Sequence, residues 1–214
     1  YKALEFTGDT IQYLSMDDRF SLCNMAIEAG AKNGIVAYDE ITKEFLDSRE
    51  SLRAEPKIHY SDADAVYCQE IIIDVEALNP VIAYPFLPSN GHSVNQAVED
   101  NIRVDQVFIG SCTNGRLSDF KVASEILKDK KVARHVRLIV TPGTQKILRD
   151  AQKAGYIDIL IDAGAVVSNP TCGACLGGYM GILGDGEVCI STTNRNFVGR
   201  MGSRSSKIYL ANSA

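Results

Sequence analysis

From residue 106 onward the chain repeats one pattern: a short strand-like run, a polar loop bearing glycine, and often a stretch suited to a helix. The runs are QVFIG (106–110), VRLIVT (136–141), AVVS (165–168), VCIST (188–192) and KIYLA (207–211). They are short, apolar and rich in β-branched residues, as strands buried on both faces are. Residues 117–128 and 144–154 read as helices, the second opened by Thr144 and closed by Gly155. Strands alternating with helices imply an α/β architecture with a mainly parallel sheet covered on both faces.

This pattern assigns positions to the polar loops. SCTNG (111–115), TPGT (141–144), NPTCGAC (169–175) and TTNRNFVGR (192–200) each follow a strand. In an open parallel sheet such loops leave the carboxyl ends of the strands, where ligands bind. Cys112, Cys172, Cys175, Arg195 and Arg200 are therefore expected along one rim.

Three chemistries compete for these cysteines. A redox couple suits Cys172-x-x-Cys175 but leaves Cys112 and the arginines without a role. A closed zinc site needs four ligands; there is no second Cys-x-x-Cys, and His59, His92 and His135 are scattered without ligand spacing. A [4Fe–4S] cluster held by three thiolates would leave one iron open to a substrate hydroxyl and carboxylate. Arginines nearby would hold further carboxylates in bidentate fashion. This third reading accounts for cysteines, glycines and arginines together.

The first part of the chain is less regular. Tyr1 to Phe6 alternates like a strand, and Ser15-x-x-Asp18 reads as a capping box opening a helix through Asn24 and Glu28 to Gly30. A short helix is expected from Thr42 through Leu46, and a strand over YCQEIIIDV (67–75). Pro80, Pro85, Pro88 and Ser89-Asn90-Gly91 suggest a boundary between domains 1–90 and 91–214. Cys23, Cys68 and Cys189 are expected to be small buried hydrophobes. Six cysteines in a chain of 214 residues without secretory marks favour a reducing cytoplasm. A net charge of −5 and no basic stripe argue against nucleic acid, and no apolar run would span a bilayer. The sequence opens inside a strand pattern without methionine and stops after KIYLAN, so a piece of a longer chain is expected.

VFIGSCTNGR, NPTCGACLGG and TTNRNFVGRMG resemble the signatures of the aconitase superfamily. NMAIEAGA (24–31), after MDDR (16–19), is similar to a further segment of that family, so the likeness runs nearly end to end. The resemblance implies three-layer α/β/α domains with mainly parallel sheets. It implies Cys112, Cys172 and Cys175 as the three ligands of a [4Fe–4S] cluster. Asn24 and Glu28 match catalytic residues beside the cluster, with Glu28 near the substrate. Asn194, Arg195 and Arg200 match the substrate-binding segment, whose arginines contact carboxylates.

The implied reaction is elimination and re-addition of water on a hydroxy-polycarboxylate. The likeness is closer to large subunits of the two-subunit hydro-lyases acting on isopropylmalate or homoaconitate than to single-chain aconitases. It therefore implies a partner, a small subunit carrying the swivelling domain with its serine base. The family's His/Asp acid–base residues, which lie in an N-terminal domain, have no match in this sequence. The chain is thus expected to be a cluster-binding and partial substrate-binding portion. An electron-transfer module, which would need a fourth protein ligand, is the competing class. An RNA-binding iron sensor is disfavoured by the acidic composition.

Overall fold

A computed structural model describes residues 2–49 and 56–214. The chain divides into two compact units, Tyr1–Asn79 and Pro80–Ala214. Among the described residues no helix is long and apolar enough to cross a membrane.

In the first unit, β1 (Ala3–Phe6) and β2 (Asn33–Val36) pair in parallel. Between them runs α1 (Met16–Met25), opened by the expected capping box. Ser15 Oγ accepts from the Asp18 amide at 3.3 Å, and the Asp18 carboxylate accepts from the Ser15 amide at 3.0 Å. The helix ends before Glu28, because residues 26–30 turn and the Ala31 amide donates back to Ala26 O. Asn24 thus lies in the last helical turn and Glu28 in the turn that follows. A second helix, α2 (Glu40–Asp47), is capped by Asp39, whose side chain accepts from the Thr42 amide. Arg19 of α1, only 2% exposed, donates to both Asp39 carboxylate oxygens at 2.6 Å and to the carbonyls of Ile11 and Leu14.

The strand expected over 67–75 does not form. Those residues join no sheet; the 3₁₀ turn Val75–Ala77 follows, and Ile71, Ile72 and Ile73 stand exposed. β-propensity describes fitness for a pleated, half-buried surface, and no described strand pairs with this one. Cys68 is consequently exposed rather than buried, Cys23 is partly buried, and Cys189 is buried as expected.

The second unit is built on a seven-stranded sheet among the described residues. Its edge is an antiparallel pair, β3 (Val81–Ala83) and β4 (Gly91–Ser93), so residues 80–93 belong to this unit. After α3 (Val94–Glu99) come β5 (Gln106–Gly110), α4 (Ser111–Asn114), α5 (Leu117–Leu127) and β6 (Arg137–Thr141). Then follow α6 (Gln145–Lys153), α7 (Tyr156–Ala163), β7 (Val166–Val167), β8 (Val188–Ser191) and β9 (Lys207–Leu210). Helix α7 was not anticipated; Gly155, read as a helix stop, also serves as the start of the next helix.

The strand order is β4-β3-β9-β8-β5-β6-β7, with β9 through β7 all parallel and β3 antiparallel to β9. Side chains alternate across the pleat, giving two cores. Ile109, Leu138 and Val140 pack on one face against Phe120, Ala123, Ala151, Ile157 and Leu160 of α5, α6 and α7. Phe108, Ile139, Cys189 and Ile208 pack on the other against Ala174, Cys175, Leu183 and Met201. The chain adds β6 and β7 on one side of β5, then returns to lay β8 and β9 on the other. Strand order thus reverses between β5 and β8, the kind of switch point at whose carboxyl ends open parallel sheets bind ligands.

Candidate metal and substrate site

The rim begins where β5 must stop. Gly110 approaches β6 so closely that a Cβ on it would stand 2.1 Å from Thr141 O. Ser111 follows with φ of 69°, a left-handed conformation that costs a non-glycine residue energy. The turn it opens sets Cys112 exposed on the rim. Arg116 Nη2 donates to Cys112 O at 2.9 Å. Buried Asp119 accepts from the Arg116 amide, Asn114 Nδ2 and Ser213 Oγ, tying this loop to α5 and to the segment after β9.

Each neighbouring loop is fastened to the first or to the next. The Gly143 amide donates to Gly115 O at 2.8 Å. Thr141 Oγ1 and Ser168 Oγ lie 3.2 Å apart and share a hydrogen bond. Thr192 Oγ1 accepts from the Gly110 amide at 2.9 Å, while the Thr192 amide donates to Phe108 O at 3.0 Å. The two Thr192 contacts join the carboxyl ends of β5 and β8.

Cys172 precedes a single 3₁₀ turn, Gly173–Leu176, and its carbonyl accepts from the Cys175 amide at 3.1 Å. Cys172 is exposed, whereas Cys175 is 5% exposed against the core. Burial raises the pKa of the Cys175 thiol, and nearby Cys112 adds to that. The Arg200 guanidinium and the Ser111 hydroxyl, both facing the sulfur, oppose the rise by favouring the thiolate. Loops after β5, β7 and β8 therefore meet at Cys175.

The loop after β8 is anchored by a residue the sequence reading passed over. Fully buried Asn196 donates through Nδ2 to Tyr84 O at 2.8 Å and Ile208 O at 3.2 Å. Asn194 beside it is buried, and Arg195 is half-buried. The Arg200 amide donates to Phe197 O at 2.9 Å, closing a turn that brings Arg200 back toward Cys175. Asn24 and Glu28 lie half-buried in the first unit. Ser111, Asp119, Thr192 and Asn196 were the residues missed; their only signal was a polar side chain flanking a buried strand or a site motif.

Among the described residues, no three His, Cys, Asp or Glu side chains gather closely enough to enclose one metal ion. An iron–sulfur cluster makes a different demand, since each thiolate binds its own iron around the cube. The donor set suits that demand: three thiols on two loops of one rim. Ser111 Oγ and Arg200 Nε, whose side chains bear on Cys175, are buried with no hydrogen-bond partner among the described residues.

The profile described as Aconitase family (aconitate hydratase) matches residues 1–214. The 3-isopropylmalate dehydratase large subunit of Aliarcobacter butzleri (strain RM4018) is 86% identical over 100% of this chain. The proteins of the same name from Sulfurimonas denitrificans and Wolinella succinogenes are 78% and 74% identical, again over the whole chain. The chain spans 51% of the length of each of these relatives. The chain belongs to the aconitase family.

Proposed function

We propose that this chain forms the cluster-holding part of the large subunit of a 3-isopropylmalate dehydratase. That enzyme interconverts 2- and 3-isopropylmalate in leucine biosynthesis, in the cytoplasm and together with a small subunit. The observation that carries the reading is the meeting of Cys112, Cys175 and Arg200 at the carboxyl edge of the sheet. Identity of 86% to a large subunit of that name supports it, as does the membership of its family.

Cys112, Cys172 and Cys175 hold a [4Fe–4S] cluster. When bound, the cluster supplies an iron free of protein ligands, a Lewis acid for the substrate's hydroxyl and one carboxylate. Arg195 and Arg200 grip the carboxylates, for which a planar guanidinium gives bidentate, directional binding. Asn194 lends an amide to the same contact. Glu28 and Asn24, which the family resemblance matches to catalytic residues, are the candidates in this chain for handling a proton in the reaction. The small subunit contributes the swivelling domain and the base for the neighbouring carbon.

The test uses the complete large subunit with its small subunit. Cys112→Ala, Cys172→Ala and Cys175→Ala are expected each to lose cluster iron and isomerisation of 2-isopropylmalate, whereas Cys23→Ala, Cys68→Ala and Cys189→Ala keep both. A cluster that survives Cys112→Ala, or one lost on Cys68→Ala, would overturn the ligand set. Turnover of homoaconitate in preference to isopropylmalate would overturn the substrate.

A further inference from the structure

Arg116 stands where an arginine is locally a poor choice. It is the N-cap of α5, half-buried and with extended backbone. An N-cap is best filled by Ser, Thr, Asn or Asp, whose side-chain oxygen accepts from the first free amides of the helix, and arginine has no acceptor to offer. Its cation also lies at the positive end of the helix dipole, where it is unfavourable. Asp119, three residues on, supplies the carboxylate that accepts the Arg116 amide at 3.0 Å. Nothing in the cap calls for a guanidinium, and residues that break a local rule gather at functional sites.

The guanidinium reaches back along the chain instead. Its Nη2 donates to Cys112 O at 2.9 Å, four residues earlier. The loop between them is also closed by its backbone, the Gly115 amide donating to Ser111 O at 3.0 Å. That backbone closure would hold the turn with any side chain at 116, whereas the bond to Cys112 O comes from the arginine alone. It fixes the peptide of Cys112, which is exposed on the rim and is the one proposed ligand on this loop. Carbonyl and sulfur belong to the same residue, so the cation stands within a residue's breadth of that thiol.

We infer that Arg116 is a positioning residue for the cluster: its guanidinium, seated on the Cys112 carbonyl, fixes the peptide that presents the Cys112 thiolate and sets a positive charge beside the cluster. The inference rests on the ligand set proposed above. A neighbouring cation stabilises the more negative charge state of a cluster, so Arg116 favours the reduced form. A guanidinium also suits a carbonyl facing solvent, because its bond to the oxygen is charge-assisted.

The experiment uses the complete large subunit, reconstituted anaerobically with ferrous iron and sulfide and titrated with dithionite. Wild type comes first: if it takes up no cluster, the reading under Proposed function fails and Arg116 is not at issue. Arg116→Ser removes the guanidinium and installs a preferred N-cap, so its apoprotein should unfold in urea at or above the wild-type midpoint. Its oxidised-to-reduced ratio should rise about fivefold at the potential where wild type is half reduced, the effect of one nearby charge in a medium between protein surface and bulk water. Arg116→Lys restores a cation and should return the ratio at least halfway to wild type. Failure of Arg116→Ser to hold iron, with its apoprotein midpoint undiminished, supports the inference equally. A wild-type ratio in Arg116→Ser would overturn it, as would a ratio in Arg116→Lys no closer to wild type than that of Arg116→Ser. Iron loss accompanied by a fallen midpoint would also overturn it, because the arginine would then serve the scaffold.

Discussion

At the scale of single residues the site is held by contacts that leave no room for substitution. Gly110 is the sharpest case, because any side chain there would displace Thr141 and with it the turn carrying Cys112. Gly110→Ala is expected to cost roughly 3 kcal/mol or more, combining a disfavoured backbone with overpacking. Urea unfolding measures this, and a midpoint equal to wild type would refute it. The sequence made the cysteines visible because thiol spacing is a chemical pattern. It hid Ser111, since a serine beside a cysteine means nothing until its φ and burial are known. Asn196 was hidden for a related reason: it lies inside a motif whose other polar residues were read as contacts to ligand, while it holds backbone.

At the scale of elements, legibility followed burial. Strands β5, β6, β8 and β9 were readable because an interior parallel strand is apolar throughout, whatever its neighbours. The 67–75 segment has the same composition but no partner among the described strands, and pairing is a property the local sequence does not carry. The capping box at Ser15 was readable because it is wholly local. Its helix is joined to α2 by a contact twenty residues distant in sequence, Arg19 to Asp39. The Arg19 guanidinium holds the Asp39 carboxyl well below its ordinary value of 3.8. A depressed acid stabilises the fold above its unfolded pKa, and that contribution disappears as pH falls through the folded one. Asp39→Asn should therefore be less stable than wild type at pH 7, and the gap should close progressively below about pH 4. Thermal unfolding followed by circular dichroism at pH 7 and pH 3 reads the difference. A gap independent of pH would show that the ion pair contributes nothing.

At the scale of the molecule, alternation of strands and helices was enough to put four loops on one rim. It was not enough to say which loops touch, because that depends on strand order. The return of β8 to the far side of β5 makes the loop after residue 110 the neighbour of the loop after residue 191. Thr192 ties that junction: its buried hydroxyl accepts the Gly110 amide, beyond the last β5–β8 pair of Phe108 with Ser191. Thr192→Val keeps the shape and removes the acceptor, leaving a buried donor unpaired at a cost of about 1–3 kcal/mol. Thr192→Ser keeps the acceptor and loses one methyl group, so it should retain most of the stability. The consequence should also be local to the junction. In Thr192→Val the Gly110 amide should exchange with solvent faster than in wild type, while amides of β6, bonded across the sheet, keep their protection. If Thr192→Val left Gly110 exchange unchanged, or if Thr192→Ser accelerated it as much, the junction would be held by strand pairing alone and not by this hydroxyl.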